Sequence, residues 1–556
     1  MVREAIMRQI VRNMLLSVLS IVVITTAGAQ YSKVASGNKI MIAAHPLAAR
    51  AGMEIYKKGG NVVDVAVAVA YALGVVEPHG SGIGGEGMML IYDSKEGRST
   101  VIDFKAISPA SASHQKLDLR RKSDWARSVK GASIPGAVAG LEFARERFGR
   151  LDRKSVLQPA VNFALHGYEV DSTLALNLES YRRILERDSS AKLLYYPEGR
   201  TPNVGRVLEN PDYGKTLQLI QSQGPDAFYK GAIADLIVKH SETKGGFITK
   251  DDLLAYKPIV REALVGHYRG YEIITTPPPC GGMLLIETLN ILKYFNLAEA
   301  KRRNEYNLHL FAETFKLVLK DEATHNGDPE FNTIPIAKVV SDQYAFQRFL
   351  QIDLAHSAHP AQVNAGSTED KNTTHLSVMD IDGNAVSLTI TLSSLFGTGQ
   401  IVQGAGFMLN NEMQNFNDND THPNSLKPHK RVVTSLVPTI VAKNGKPMYV
   451  LGTPGGDLII STIAQVIVNL VDFDMTLQDA VFAPRMFSIF TQRELETESR
   501  FSQGAFELLE RFGHDVKQLG DYRAYFGSVQ AIKLDSDARR LTGCSDPRRS
   551  GAAVGE

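Results

Sequence analysis

The stretch Asn372-Thr373-Thr374-His375, continued by LSVMDIDGNAVSLTITLSS, constrains the fold more than any other part of the chain. Leu376 and Val378 alternate with His375 and Ser377 before Asp382-Gly383. After it, Val386, Leu388, Ile390 and Leu392 alternate with Ser387, Thr389, Thr391 and Ser393. Period two on both sides of a glycine-containing turn predicts a β-hairpin. A three-residue loop centred on Asp382 pairs polar with polar and apolar with apolar. A two-residue Asp-Gly loop would set polar against apolar, and such a one-residue slip turns the core face to water. The first register puts Thr373 opposite Thr391 and gives the hairpin a face of hydroxyls.

Of the 556 residues, 44% are hydrophobic and 22% charged, with a net charge of +1. This is the composition of a globular protein with a large core, and it gives no reason to expect nucleic acid or an anionic membrane as partner. Arg3, Arg8 and Arg12 precede an apolar run from Met14 to Ile24, and Ala27-Gly28-Ala29 follows. That order predicts a secretory signal peptide over 1–29, and the run is too short for a bilayer span. A periplasmic or secreted location is expected. An exported chain with only Cys280 and Cys544 does not rest on a disulfide framework. Two buried free thiols are the favoured reading, with a single bridge as the alternative.

After the signal, KIMIAAHPLAARAGMEIYKKGGNVVDVAVAVAYALGVVEP reads as a strand and two helices split by Gly59-Gly60. Gly80, Gly82, Gly84, Gly85 and Gly87 then predict a backbone that approaches a neighbour closely rather than a dinucleotide loop, because no strand–turn–helix unit frames them. Residues 130–240 read as mostly helical. Residues 356–372 are small, polar and aperiodic, and read as an exposed, mobile segment ending where the hairpin begins. Further on, Pro454-Gly455-Gly456-Asp457 opens an apolar helix, with Asp457 as the expected N-cap. Bare amides at such a helix start stabilise an anion or an oxyanion.

A threonine hydroxyl is a poor nucleophile in water, but an N-terminal threonine carries its own base in its α-amine. Thr373 could attack the Asn372 carbonyl, pass through an ester, and emerge by hydrolysis as a new N-terminus. The same hydroxyl would then attack an external amide, with Thr391 fixing its rotamer and Gly455 and Gly456 holding the oxyanion. Threonine is also an ordinary strand former. On spacing alone, His375 reads as a satisfied histidine rather than a base, and Glu412 as a solvated charge.

The ordered segments GGNVVDVAVAV, EPHGSGIGGEGMMLIYD, VIDFKAISPA, SIPGAVAG, GPDAFYKG, GGFITKDDLLAY, TPPPCGG, NTTHLSVMDIDGNAVSLTITL, FGTG, LNNEM, GTPGGD and CSDPR resemble the γ-glutamyltranspeptidase (glutathione hydrolase) family of N-terminal nucleophile hydrolases over nearly the whole chain. The resemblance implies an α+β fold, a four-layer αββα sandwich made as one precursor. Self-cleavage would yield a large subunit, 30–372, and a small subunit, 373–556, which stay together. Thr373 matches the nucleophile, Thr391 its supporting threonine, and Gly455 and Gly456 the oxyanion glycines. Thr434 and Ser435 match a serine pair at the substrate α-carboxylate, and Glu412 a Glu/Gln position at the α-amino group. No cofactor or metal is implied; the acceptor is water, an amino acid or a peptide.

Three positions depart from the family pattern. Its arginine at the α-carboxylate falls at Lys105, which keeps the charge but loses the two-pronged fork. Its acidic residue facing the α-ammonium falls at Asn415, and an asparagine near the nucleophile falls at Ser393. The loop 417–429 is shorter than the lid of members that cover their site. Two enzyme readings follow. One is a γ-glutamyl hydrolase or transferase acting on glutathione and related amides. The other is an amidohydrolase for glutaryl-type acyl groups, similar to cephalosporin acylases. An unprocessed, binding-only relative is disfavoured by the intact Thr373, Thr391 and Gly-Gly pair.

Overall fold

In a computed structural model of the chain, which describes residues 32–300, 305–359 and 371–556, two seven-stranded sheets pack against each other between layers of helices. The expected αββα sandwich is thus the observed architecture. The first sheet runs Ala552–Gly555, Lys39–Ala43, Lys371–Asp380, Ala385–Ser394, Glu86–Asp93, Arg98–Asp103 and Ile259–Arg261. The second runs Val34–Gly37, Arg540–Ser545, Gln530–Asp535, Lys446–Gly452, Thr439–Lys443, Tyr271–Thr275 and Leu264–Tyr268. Every pairing in both sheets is antiparallel. Both sheets contain strands from each side of Asn372, and Lys33–Glu556 forms one compact unit.

The hairpin sits at the centre of the first sheet in the expected register, with Thr373 opposite Thr391, His375 opposite Thr389 and Ser377 opposite Ser387. Its apolar face meets the helices. Leu376, Val378, Val386, Leu388, Ile390 and Leu392 join one core with the helix Val62–Val76, all of whose residues are buried. Each such large side chain contributes about 1.5–3 kcal/mol. Asn61 starts that helix through a reciprocal capping box with Asp64. The other hairpin face meets the second sheet, and its hydroxyls are used there. Ser377 Oγ donates to the Gln530 carbonyl at 2.9 Å and Ser387 Oγ to the Leu451 carbonyl at 3.1 Å.

The glycine-dense turn behaves as expected. A Cβ at Gly85 would lie 2.2 Å from the Thr391 carbonyl oxygen, so only glycine lets this loop lie against the hairpin. Cys280 and Cys544 are both buried free thiols. Residues 1–31 lie outside the described residues, as do 360–370 of the segment expected to be mobile. No described helix is long and apolar enough to cross a membrane. One detail differs. Asp457 stands at the N-cap of the helix Leu458–Val471, but it is itself αR (φ −65°, ψ −19°) and its carboxylate makes no capping bond. A side chain caps from an extended residue, and here the chain already turns helical at the cap.

Candidate active site

The β-register breaks at one place in the hairpin, between Asn372 and Thr373. Asn372 pairs with Ser393 while Thr373 pairs with Thr391, so Leu392 is the extra residue of a bulge. Ser393 takes the strain with φ +79°, in the left-handed region that a serine rarely occupies. The bulge re-aims the backbone. Thr391 Oγ1 donates to the Asn372 carbonyl at 2.7 Å and accepts from the Ser393 amide at 2.8 Å. Thr373 Oγ1 donates to Thr391 Oγ1 at 3.4 Å. The Asn372 carbonyl and the Thr373 hydroxyl therefore share one partner.

Sequence reasoning missed Arg549. Its Nη1 donates to Asn372 Oδ1 at 2.6 Å and to the Thr373 carbonyl at 3.1 Å, while the Thr373 amide donates to Asn372 Oδ1 at 2.9 Å. One guanidinium thereby holds both residues of the pair. Glu77 lies near it, its carboxyl pushed up to about 7 by burial against the pull of Arg549.

Thr373 and Thr391 open into a cavity of about 730 Å³ that is also lined by Ser393, Glu412, Asn415, Thr434, Ser435 and Gly456. Glu322, Asp457 and Lys122 contribute to its walls, as do Asn417, His422 and Asn424 of the short loop. Gly455 (φ +137°) and Gly456 (φ +57°) both hold conformations that favour glycine. Asn415 Nδ2 donates to Ser393 Oγ at 2.9 Å and to Glu412 Oε2 at 2.7 Å. Two of the three departures from the family pattern are thus in contact, and Asn415 presents an amide to the Glu412 carboxylate.

The third departure lies one layer deeper. Lys105 is fully buried; its Nζ donates to Glu86 Oε1 at 2.6 Å and to Thr434 Oγ1 at 2.7 Å. Glu86, also fully buried, accepts from the Ala106 amide at 2.6 Å through its other oxygen. The Glu86 carboxylate and its neighbours hold the Lys105 ammonium above its ordinary range despite burial. Ser435 Oγ, the other expected carboxylate contact, donates to Glu322 Oε1 at 3.1 Å. Sequence reasoning overlooked both Glu86 and Glu322.

His375 is buried between the sheets. Its Nδ1 pairs with Thr389 Oγ1 at 2.8 Å and its Nε2 with Ser377 Oγ at 3.1 Å, and burial pulls its pKa down to about 3. It is the satisfied core histidine that spacing favoured. One set of metal-ligand type occurs among the described residues: His309, Glu313 and His514. Lys316 Nζ donates to Glu313 Oε1 at 2.8 Å, so an ammonium already holds the carboxylate there.

The family model described as gamma-glutamyltranspeptidase matches residues 48–556. The glutathione hydrolase proenzyme of Escherichia coli (strain K12) is 37% identical over 520 residues, which cover 90% of this chain and 89% of that protein. The acylase ACY 1 proenzyme of Pseudomonas sp. (strain SE83) is 35% identical, with 94% of each chain covered. Among solved structures, cephalosporin acylase from Bacillus halodurans superposes with a TM-score of 0.87 at 29% identity, covering 96% of this chain and 98% of that one. The chain belongs to the γ-glutamyltranspeptidase family and is an enzyme of the N-terminal nucleophile hydrolase type.

Proposed function

We propose that the chain cleaves itself between Asn372 and Thr373, and that the freed Thr373 then hydrolyses or transfers the acyl group of γ-glutamyl amides such as glutathione. The observation that carries this is the bulge, where Thr391 bonds both the Asn372 carbonyl and the Thr373 hydroxyl at the edge of the cavity. In the first step Thr373 Oγ1 attacks the Asn372 carbonyl carbon. The acyl group moves from nitrogen to oxygen, and water hydrolyses the ester to leave an Asn372 carboxylate and the Thr373 α-amine. An α-amine with a pKa near about 8 is partly neutral at working pH and accepts the hydroxyl proton. The hydroxyl attacks the substrate carbonyl, and the amides of Gly455 and Gly456 receive the oxyanion. The leaving amine takes the proton, and water or an amino acid or peptide resolves the acyl-enzyme.

Residues 30–372 and 373–556 would remain one body, since both sheets contain strands from each. The chain's export, with residues 1–29 as its signal, belongs to the same proposal. Relatives named as acylases motivate the glutaryl reading as the second one. Asn415 favours it, while the Glu412 carboxylate beside Asn415 favours an acyl group bearing an α-ammonium. The test is a denaturing gel with an amidase assay. Two bands and release of nitroaniline from γ-glutamyl-p-nitroanilide are expected, with Thr373→Ala giving one band and no release. A wild-type protein that remains one band and inert overturns the reading.

A further inference from the structure

The acyl end of the cavity is more acidic than a site built to grip a carboxylate. Lys105 is the cation at the family's carboxylate position, and Glu86 occupies it at 2.6 Å. Glu86 stands opposite Thr391 in the sheet, so the pair lies directly behind the hydroxyl row. Ser435, the nearby hydroxyl, donates to Glu322. Glu412 adds a third carboxylate, buried and hydrogen-bonded by Asn415. Asp103 does not enter the balance, being held by Arg261 at 2.7 Å and Arg431 at 3.4 Å. On the cavity wall, Lys122 Nζ donates to the Phe416 carbonyl at 2.9 Å and Arg120 pairs with Asp118 at 3.3 Å. On the cavity wall Glu322, Glu412 and Asp457 thus stand with Lys122 and the paired Arg120, and in the layer directly behind it Glu86 neutralises Lys105.

We propose that Glu86 sets the charge selectivity of the acyl site. By pairing with Lys105 it turns a clamp for a carboxylate-bearing acyl group into a site that selects a terminal ammonium and rejects an acyl group whose far end carries only a carboxylate. The proposal rests on the reading of Thr373 as the acyl acceptor. A γ-glutamyl group satisfies it through its ammonium. A 4-aminobutyryl group, which is γ-glutamyl without the α-carboxylate, satisfies it as well or better. A glutaryl group, which keeps a carboxylate and lacks the ammonium, does not.

The experiment titrates the wild-type protein with 4-aminobutyrate, L-glutamate and glutarate by calorimetry, and runs the matching p-nitroanilides in parallel. Expected is 4-aminobutyrate binding at least about ten-fold more tightly than glutarate, the effect of one charge-assisted contact. Glu86→Gln, which frees the Lys105 charge, should shift that ratio toward glutarate by about ten-fold or more. The double variant Glu86→Gln/Lys105→Met, which removes both charges, should keep the wild-type order and decides the matter if the single variant does not fold. Glutarate binding the wild type as tightly as 4-aminobutyrate overturns the proposal. So does a ratio unmoved by Glu86→Gln, or moved only by Lys122→Met. If the binding order holds and none of the anilides is cut, the amidase reading falls and the charge selectivity stands.

Discussion

The polar face of one hairpin is used in two ways. Along its inner part, His375, Ser377, Ser387 and Thr389 lie between the sheets, bonded to one another and to the carbonyls of Leu451 and Gln530. At its outer end, Thr373, Thr391 and Ser393 have the same residue chemistry and strand period, but they open into the cavity, and a bulge has shifted their backbone. What separates the structural hydroxyls from those proposed to react is their setting. A buried hydroxyl whose partners are fixed carbonyls only rigidifies the core. One that shares its partner with a peptide carbonyl beside a cavity has somewhere to react.

Substitutions along the face should therefore divide by readout, and the largest expected effect falls on the structural half. His375→Ala leaves a cavity against Gly452 and strands the hydroxyl of Thr389, while Ser377 keeps its bond to the Gln530 carbonyl. It should cost about 3 kcal/mol in denaturant unfolding, with the turnover of folded, processed enzyme unchanged. Its pH signature is specific. The folded pKa of about 3 lies below an unfolded value near 6.5. Between those values the unfolded chain binds a proton that the folded chain does not, so stability falls as pH drops below about 6.5. The variant should lose that share of the slope, and an unchanged slope would remove His375 from the comparison.

At the outer end, Arg549→Met removes the guanidinium from Asn372 and Thr373. It should slow self-cleavage by about ten- to a hundred-fold, read as persistence of the full-length band, with a much smaller effect on melting. Thr391→Val keeps the shape and removes the shared hydroxyl. Self-cleavage should slow by about ten-fold, equivalent to a hydrogen bond of about 1–1.5 kcal/mol. The smallest effect is expected at the bulge. Ser393→Gly relieves the positive φ at the cost of the contact with Asn415, for a net change within about 1 kcal/mol by thermal melting. A large loss there would mean that the Ser393 hydroxyl, rather than the backbone, maintains the site.

The same contrast explains what was legible in the sequence. The hairpin, its register and its two faces follow from period-two alternation, which a buried sheet imposes on every residue. The turn glycines follow from the near contact of Gly85 with the Thr391 carbonyl. Arg549 left no such trace, because it reaches the Asn372–Thr373 pair from a different strand connection, 177 residues from Asn372. Glu86 was missed for a related reason. It is a single acid within a glycine-rich turn, and only the sheet pairing brings it to Lys105 and Thr391. Lys105 could be aligned with the family's arginine, but whether its charge was available to substrate depended on that unseen partner. Asp457 failed as a cap because residue type at the helix start does not report the backbone conformation.

The most direct test of the division between the two halves is the intact mass of the denatured wild-type protein beside Thr391→Val and Ser377→Ala. Two chains are expected for wild type and Ser377→Ala, one of them beginning at Thr373. Thr391→Val should retain mainly the uncleaved chain over the same interval. An intact wild-type chain, a new N-terminus at any other residue of the hairpin, or equal cleavage in all three would contradict the assignment of reactivity to the outer end of the face.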